Sequence, residues 1–431
     1  MRGRVRFLDT RPLRGSRPFR DLWIGTSVSQ VGWQIANVAV LAQTWALTGS
    51  PVGTGAIGLA TGLPMVLFGL LGGTLADTVD RRAVVRATTA GQLLAAAALC
   101  AQALADNRNV LLLLALVALG TSCGALGAPA RRTFPVRLLP GDQVAAGLAL
   151  TNISFQAAML TGPALAGLII ARWDFAAAYA AQAAAMVVSM LAVLRLPAMR
   201  PEGAGAAGGR RRPERGGWRI VLRRPTLWGS MATDLSATLL AMPIALFPLV
   251  NETRFGGDPR TLGLFLSAVA VGGITAGLLS GTVTRWRRAG LVQLSAAGVW
   301  GLALACFGLV GPLWPALGCL AVAGAADTVS VVTRSALVQM ETPDAYRGRV
   351  SSVEHVIGVA GPELGNFRGG LLASATSASF SLAFGGLSAV LAIAAVAATN
   401  APLRAYRTPP ATAKPTAPGP ADAAAAAGKT S

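Results

Sequence analysis

Four acids, Asp234, Asp327, Glu354 and Glu363, lie inside otherwise apolar stretches in the second half of the chain, together with His355 and Arg368. A charge near the middle of a bilayer costs roughly 2.5–3.5 kcal/mol on insertion scales, so each reads as a functional group by default. The chemistry open to buried carboxyls is proton carriage: burial favours the neutral form, so a proton can be taken up on one side and released on the other. Glu363, near the middle of its stretch, is the first choice for that role, and a fixed salt bridge is the competing use. Asp234, on a stripe with Ser230 and Thr238, is the second choice. Asp327 and Arg334, seven residues apart on one helical face, read as an ion pair. His355, beside Glu354, is either a proton relay or a structural interfacial histidine. Arg368 lies about 140° round an ideal helix from Glu363, so direct pairing needs a distorted helix or separate partners.

A second set is polar without charge. Ser27, Gln30, Gln34, Asn37 and Thr44 follow one another at spacings of 3, 4, 3 and 7, which places them on one helical face. Such a face is not turned to lipid; it lines a water-filled cavity or bonds partner helices. Trp33 stands one residue off the stripe and either stacks on a substrate or packs. Gln156 of a later stretch joins the same candidate cavity.

Positioning these groups requires membrane helices. Of the 431 residues, 53% are hydrophobic and only 13% charged, about half the charged share of a soluble domain. Apolar runs long enough to span a bilayer at ~20 residues each recur at about 21–47, 53–76, 83–105, 109–131, 143–171, 174–195, 226–250, 261–283, 289–310, 313–338, 350–373 and 378–399. The expected fold is all-α and polytopic, with 12 transmembrane helices. The first run follows an Arg-rich segment with no small-residue cleavage site and reads as a retained span.

The net charge of +19 then becomes a topology signal. With both ends in the cytoplasm, 32 of the 37 basic residues fall on the inner side; Arg108, Arg172, Arg254 and Arg260 fall outside and Arg368 within a span. The composition excludes a soluble enzyme and a nucleic-acid module. The only lysines, Lys414 and Lys429, are in the C-terminal tail and neither sits in a Gly-x-x-x-x-Gly-Lys loop, which excludes a Walker-type ATPase and ATP as partner. One histidine rules out a two-histidine metal site, and the four cysteines fall in apolar runs as small hydrophobes. No metal and no cofactor is expected.

The chain repeats itself weakly. Leu22-Trp23 returns as Leu227-Trp228, Gly58-Leu59 as Gly263-Leu264 and Phe175 as Phe380, all at an offset of 205; Arg81-Arg82 and Gly162-Pro163 return near Arg287-Arg288 and Gly361-Pro362. The expected organisation is a basic segment 1–20, a six-helix half 21–195, a Gly- and Arg-rich linker 196–225, a second half 226–399 and a Pro/Ala-rich tail 400–431.

The stretch Gly73-Thr74-Leu75-Ala76-Asp77-Thr78-Val79-Asp80-Arg81-Arg82 resembles the Gly-x-x-x-Asp-Arg-x-Gly-Arg-Arg loop of the major facilitator superfamily, with Thr78 in place of a base and Asp80 in place of a glycine. Leu47-Thr48-Gly49-Ser50-Pro51, Arg347-Gly348-Arg349-Val350-Ser351-Ser352-Val353 and Glu363-Leu364-Gly365-Asn366-Phe367-Arg368-Gly369-Gly370 are similar to its transmembrane secretion effector branch, over about residues 20 to 399. The resemblance implies two pseudo-symmetric six-helix halves working by alternating access. It also implies a cytoplasmic gate loop of Gly73, Asp77, Asp80, Arg81 and Arg82, with Asp77 pairing to the other half. Gly162-Pro163-Ala164-Leu165-Ala166-Gly167 is similar to the antiporter motif of drug exporters. Gly162, Pro163, Gly167, Gly361 and Pro362 would then be conformational hinges, with Pro-kinked packing as the alternative reading. The expected function is a monomeric, proton-coupled exporter of a small amphipathic drug, antibiotic or siderophore, in the cell membrane. An importer on the same fold stays open. An intramembrane enzyme is disfavoured because the buried acids are scattered over three spans.

Overall fold

The structure is a computed structural model describing residues 9–197, 217–279, 288–342 and 346–407. Twelve long helices account for most of them: α1 (Arg17–Thr48), α2 (Pro51–Thr78), α3 (Arg81–Leu104), α4 (Val110–Arg132), α5 (Val144–Trp173), α6 (Phe175–Leu194), α7 (Pro225–Ala241), α8 (Pro259–Leu278), α9 (Ala289–Leu309), α10 (Leu313–Glu341), α11 (Arg347–Ala375) and α12 (Ala378–Thr399). Their ends carry ordinary helix punctuation. Proline opens α2, α7 and α8, where a missing N–H costs nothing. The side chains of Ser16, Asn109 and Ser377 cap α1, α4 and α12, and Gly49 closes α1 at φ 57°.

Ten helical stretches among the described residues are long and apolar enough to cross a membrane. The two long helices that fall short are α1 and α11. They carry the polar stripe and the run from Glu354 to Arg368, and a helix that faces a polar interior need not be apolar all round.

Three expectations change. Residues 73–78, expected as part of a loop, are the last turns of α2, leaving Val79 and Asp80 as the connection; the Asp80 carboxylate accepts from the Arg82 N–H at 2.9 Å and caps α3. The seventh span, expected as one helix over 226–250, breaks after Ala241 and resumes through a 3-10 turn, Ile244–Leu246, into Phe247–Phe255. Pro243 is the physical cause: it forces Met242 into an extended conformation (φ −73°, ψ 123°) and offers no N–H to the preceding turn. Arg334, counted among the orienting bases, is buried inside α10. Most of the expected linker, the first residues of the basic segment, the tail from 408 and the Arg287 half of one repeat lie outside the described residues.

Helix packing repeats with a shift of six. α1 packs on α5 and α6 as α7 does on α11 and α12; α2 packs on α4 as α8 on α10; α3 packs on α4 and α6 as α9 on α10 and α12. The two groups meet along two seams, α2 with α11 and α5 with α8, themselves related by the same shift. Ion pairs and hydrogen bonds collect helix ends on one Arg-rich face: Arg11 with Asp142 (4.0 Å), Arg195 with Asp21 (3.8 Å), Arg224 with Glu341 (3.7 Å), and Arg86 donating to the Leu194 carbonyl at 2.5 Å. On the opposite face, Arg254 donates to the Phe307 and Val310 carbonyls at 3.1 and 2.9 Å, and to the Gly308 carbonyl and Ser379 Oγ, capping the end of α9.

Candidate functional site

Small residues set the depth of both seams. A Cβ added to Gly58 of α2 would lie 2.6 Å from the Glu363 carbonyl and 3.0 Å from its Oε2; one added to Gly62 would lie 2.7 Å from Glu363 Cβ. In the other seam, a Cβ on Gly167 of α5 would lie 2.7 Å from the Pro259 carbonyl, and Gly263 of α8 abuts Pro163. Ser267 Oγ donates across this seam to the Leu160 carbonyl at 3.0 Å. Only glycine lets backbones approach this closely.

Followed toward the Arg-rich face, both seams part. Gly69 lies on the same face of α2 as Gly55 and Gly62, and Gly277 on the same face of α8 as Gly263. A Cβ on either would meet nothing within 4 Å. Toward the opposite end the halves are bonded: Thr54 Oγ1 donates to the Ala245 carbonyl at 2.7 Å, and Trp45 Nε1 donates to Glu252. Among the described residues the halves are therefore in contact toward the opposite face and apart at Gly69 and Gly277 toward the Arg-rich face.

Glu363 sits where the closed part of the first seam begins, with Thr61 and Asn366 near its carboxyl. Asn366 Oδ1 also accepts from the Ala245 N–H at 3.2 Å, which ties Glu363 to the break in the seventh span. If Gly162-Pro163 is laid on Gly361-Pro362, the position matching Glu363 in the other seam is Ala164. The two seams thus share glycines but only one carries an acid.

The remaining intramembrane charges divide into two settings. Arg334 pairs with Asp234 of α7, and its Nε lies 3.4 Å from Glu354 Oε1 of α11; Ser335 Oγ donates to the same oxygen at 3.1 Å. The Asp327–Arg334 pair read from spacing does not form. Arg334 lies about two turns nearer the Arg-rich end and is turned to α7 and α11, while Asp327 keeps only electrostatic reach to Arg334 and Asp234. Arg368 stands apart from Glu363: it donates to the Leu240 carbonyl, an acceptor orphaned where Pro243 interrupts the helix. His355 is exposed and within electrostatic reach of Arg132 at the end of α4.

On α1 the polar stripe splits. Trp33 (47% exposed) and Asn37 are open, while Gln34 and Thr44 are buried, Gln34 against Gly162. Asn37 Nδ2 reaches Gln34 Oε1 at 3.4 Å, Ser27 Oγ bonds back to the Trp23 carbonyl at 2.7 Å, and Gln30 Oε1 is buried with no partner. Gln156 is half-buried on α5. The side chains of Asp77, Arg347 and Arg349 and the surroundings of Gly73 lie outside the described residues, while Arg81 and Arg82 open α3. Arg82 Nε is buried. α5 and α11 run unbroken through Pro163 and Pro362, and Gly361 packs on Thr238 of α7.

Two polar ties carried no sequence signal because each joins single residues from distant segments. Gln43 Oε1 accepts from Gln102 Nε2 at 3.0 Å and from Tyr179 OH at 2.7 Å, joining α1, α3 and α6. Ser230, expected on the Asp234 stripe, pairs with Gln293 of α9 at 2.8 Å. Among the described residues no three His, Cys, Asp or Glu side chains group to hold a metal.

The family model described as Transmembrane secretion effector matches residues 10–426. The chain is 27% identical over 407 residues to the enterobactin exporter of Citrobacter koseri, covering 91% of this chain and 94% of that one. It is 28% identical over 380 residues to the enterobactin exporter of Escherichia coli O1:K1 / APEC, with 84% and 89% covered. Among solved structures, it resembles the nucleoside transporter NupG (TM-score 0.71, 14% identity, 89% and 98% covered). It also resembles a bacterial homologue of the iron transporter ferroportin in the inward-facing state (TM-score 0.68, 16% identity, 89% and 99% covered).

Proposed function

The chain belongs to the transmembrane secretion effector family of the major facilitator superfamily; it is a multi-pass membrane transporter and not an enzyme, and we propose that it is a proton-driven exporter of a small amphipathic molecule. The observation that carries this reading is the position of Glu363. Its carboxyl lies in the seam that is shut while the cavity faces the Arg-rich side. Closing the Arg-rich side and opening the other would part α2 from α11 and expose that carboxyl to the far side. A group whose water access alternates with the cavity's is what coupling requires. The link from Asn366 to Ala245 offers a mechanical route from the carboxyl to the broken seventh span.

Placing the Arg-rich face in the cytoplasm follows from the positive-inside rule, and the bacterial relatives support the inner membrane as the site. On that orientation the described state is open inward, ready to load cargo from the cell. The relatives' names support a siderophore or a molecule of similar size as cargo. Accumulation of a compound panel in cells lacking or overproducing the chain tests the direction. An exporter lowers accumulation of its cargo when overproduced, and a protonophore abolishes the difference. Raised accumulation would make the chain an importer, and protonophore-insensitive export would remove the proton.

A further inference from the structure

Toward the Arg-rich face α2 keeps one neighbour and loses the other. A Cβ on Gly72 would lie 2.6 Å from the Leu126 carbonyl of α4, so α2 and α4 stay in contact there, whereas one on Gly69 meets nothing within 4 Å. α2 and α11 run antiparallel, with Gly62 on Glu363 and Gly55 on Phe367. Seven residues past Gly62, Gly69 is therefore level with Val356, seven before Glu363, and His355 stands at the mouth of the gap. His355 is turned about 80° from Glu363 round an ideal helix, and Arg132, at the end of α4, is within its electrostatic reach. Both side chains are exposed, and neither makes a hydrogen bond or an ion pair among the described residues.

The two groups belong to opposite halves, and the acids described around them are engaged elsewhere. Glu354 lies with Arg334 and Ser335, Glu341 with Arg224, and Asp80 accepts from the Arg82 N–H. The other described groups at this mouth are basic: Arg131 donates to Gln92 Oε1 at 2.7 Å, Arg81 and Arg82 open α3, and the short helix Gly217–Arg223 packs on α11 and brings exposed Arg219 and Arg223. The side chains of Asp77, Arg347 and Arg349 lie outside the described residues. Closing the gap at Gly69 brings α11 back onto α2 and α4, and with it His355 toward Arg132. A guanidinium repels a protonated imidazole brought close to it. An oxyanion between them removes that cost, because guanidinium and imidazole both donate N–H bonds to it. We propose that Arg132 and His355 form a loading site at the Arg-rich mouth for a carboxylate or other oxyanion on the cargo, gripped from both halves. This names a chemical class for the cargo and rests on the export reading above.

Naphthoate and naphthamide share a shape and differ in charge, so together they separate the anion from the apolar ring. Binding of each to the purified full chain in phosphatidylcholine nanodiscs, without any gradient, is the test. At about pH 6 wild type binds the carboxylate at least about tenfold more tightly than the amide, and Arg132→Gln removes that preference while keeping the amide affinity. Because a bound anion favours the charged ring, carboxylate affinity falls as pH rises from about 6 to about 8, and His355→Gln abolishes this slope. Equal or tighter binding of the amide by wild type overturns the proposal, and this comparison needs no variant to fold. A carboxylate preference that persists in a well-folded Arg132→Gln also overturns it. Repeating the titration with about a quarter phosphatidylglycerol separates the sources of the anion. A soluble carboxylate keeps its Arg132-dependent preference there, whereas loss of that preference makes a lipid headgroup the occupant and overturns the cargo assignment. A chain that binds naphthoate through Arg132 but exports nothing from cells keeps this site and loses the export reading. A chain that exports only cations and neutral molecules keeps export and loses this site.

Discussion

Arg334 is the residue on which most of the buried charge depends. It holds Asp234 and Glu354 from two other helices, and removing one member of a buried ion cluster leaves uncompensated charge at a cost of about 3–5 kcal/mol. Arg334→Gln is therefore expected to lower the thermal unfolding midpoint of the detergent-solubilised protein sharply. Adding Asp234→Asn to it should recover part of the loss, and a double variant no better than the single one would deny the pairing. Arg368 leads to a contrasting expectation. Because it satisfies the orphan Leu240 carbonyl, Arg368→Gln should cost stability of about 1–3 kcal/mol while leaving the pH dependence of transport in place; a shifted pH profile would bring it into the proton path. That these residues matter was legible from charge within apolar runs. Which of them pair was not, because the arrangement of α7, α10 and α11 in space decides it, and the spacing of Asp327 and Arg334 along one helix pointed to the wrong partner.

At the scale of elements, glycines decide where the halves touch. Gly58 faces the Glu363 backbone with no room for a side chain, so Gly58→Leu should wedge α2 from α11 at the closed end. Spin labels at Val79 and Ser351, on a background with Cys100, Cys123, Cys306 and Cys319 replaced, report the separation of the Arg-rich ends of these helices. Their distance is expected to shorten in Gly58→Leu as the population moves toward the opposite opening. An unchanged distance distribution would show that this seam does not control the state. The matching glycines at 58 and 263 were visible as a repeat, and the structure gives them a common use. The break of the seventh span was hidden by its composition: around the break, 239–250 is apolar throughout, and of its two prolines Pro243 marks the point where the backbone must leave the helix. The expected run 53–76 differs from α2 by two residues at each end; only the motif 73–82 was read too early as loop, since nothing before Val79 stops a helix.

For the whole molecule, the order of helix contacts repeats with a shift of six, and the repeat makes the exceptions informative. The bases cluster on one face, and Glu363 occupies one seam where the other has Ala164. The twelve-run pattern and the duplicated halves could be read from hydropathy and offset alone. The state of the cavity could not, because it depends on which ends of α2, α5, α8 and α11 are in contact. With the Arg-rich face inward, a reporter fused after Arg407 should be active only when it functions in the cytoplasm, and a reporter placed between Ala105 and Asn109 only when it functions outside; the reverse result would invert the molecule. The central claim is that Glu363 exchanges a proton for each transport cycle. It is tested most directly by reconstituting the chain in sealed liposomes with a pH-sensitive dye inside and adding the compound whose accumulation it changes in cells. Wild type should move protons against the cargo flux, whereas Glu363→Gln should exchange labelled for unlabelled cargo with no proton signal. Full proton movement by Glu363→Gln would contradict the account.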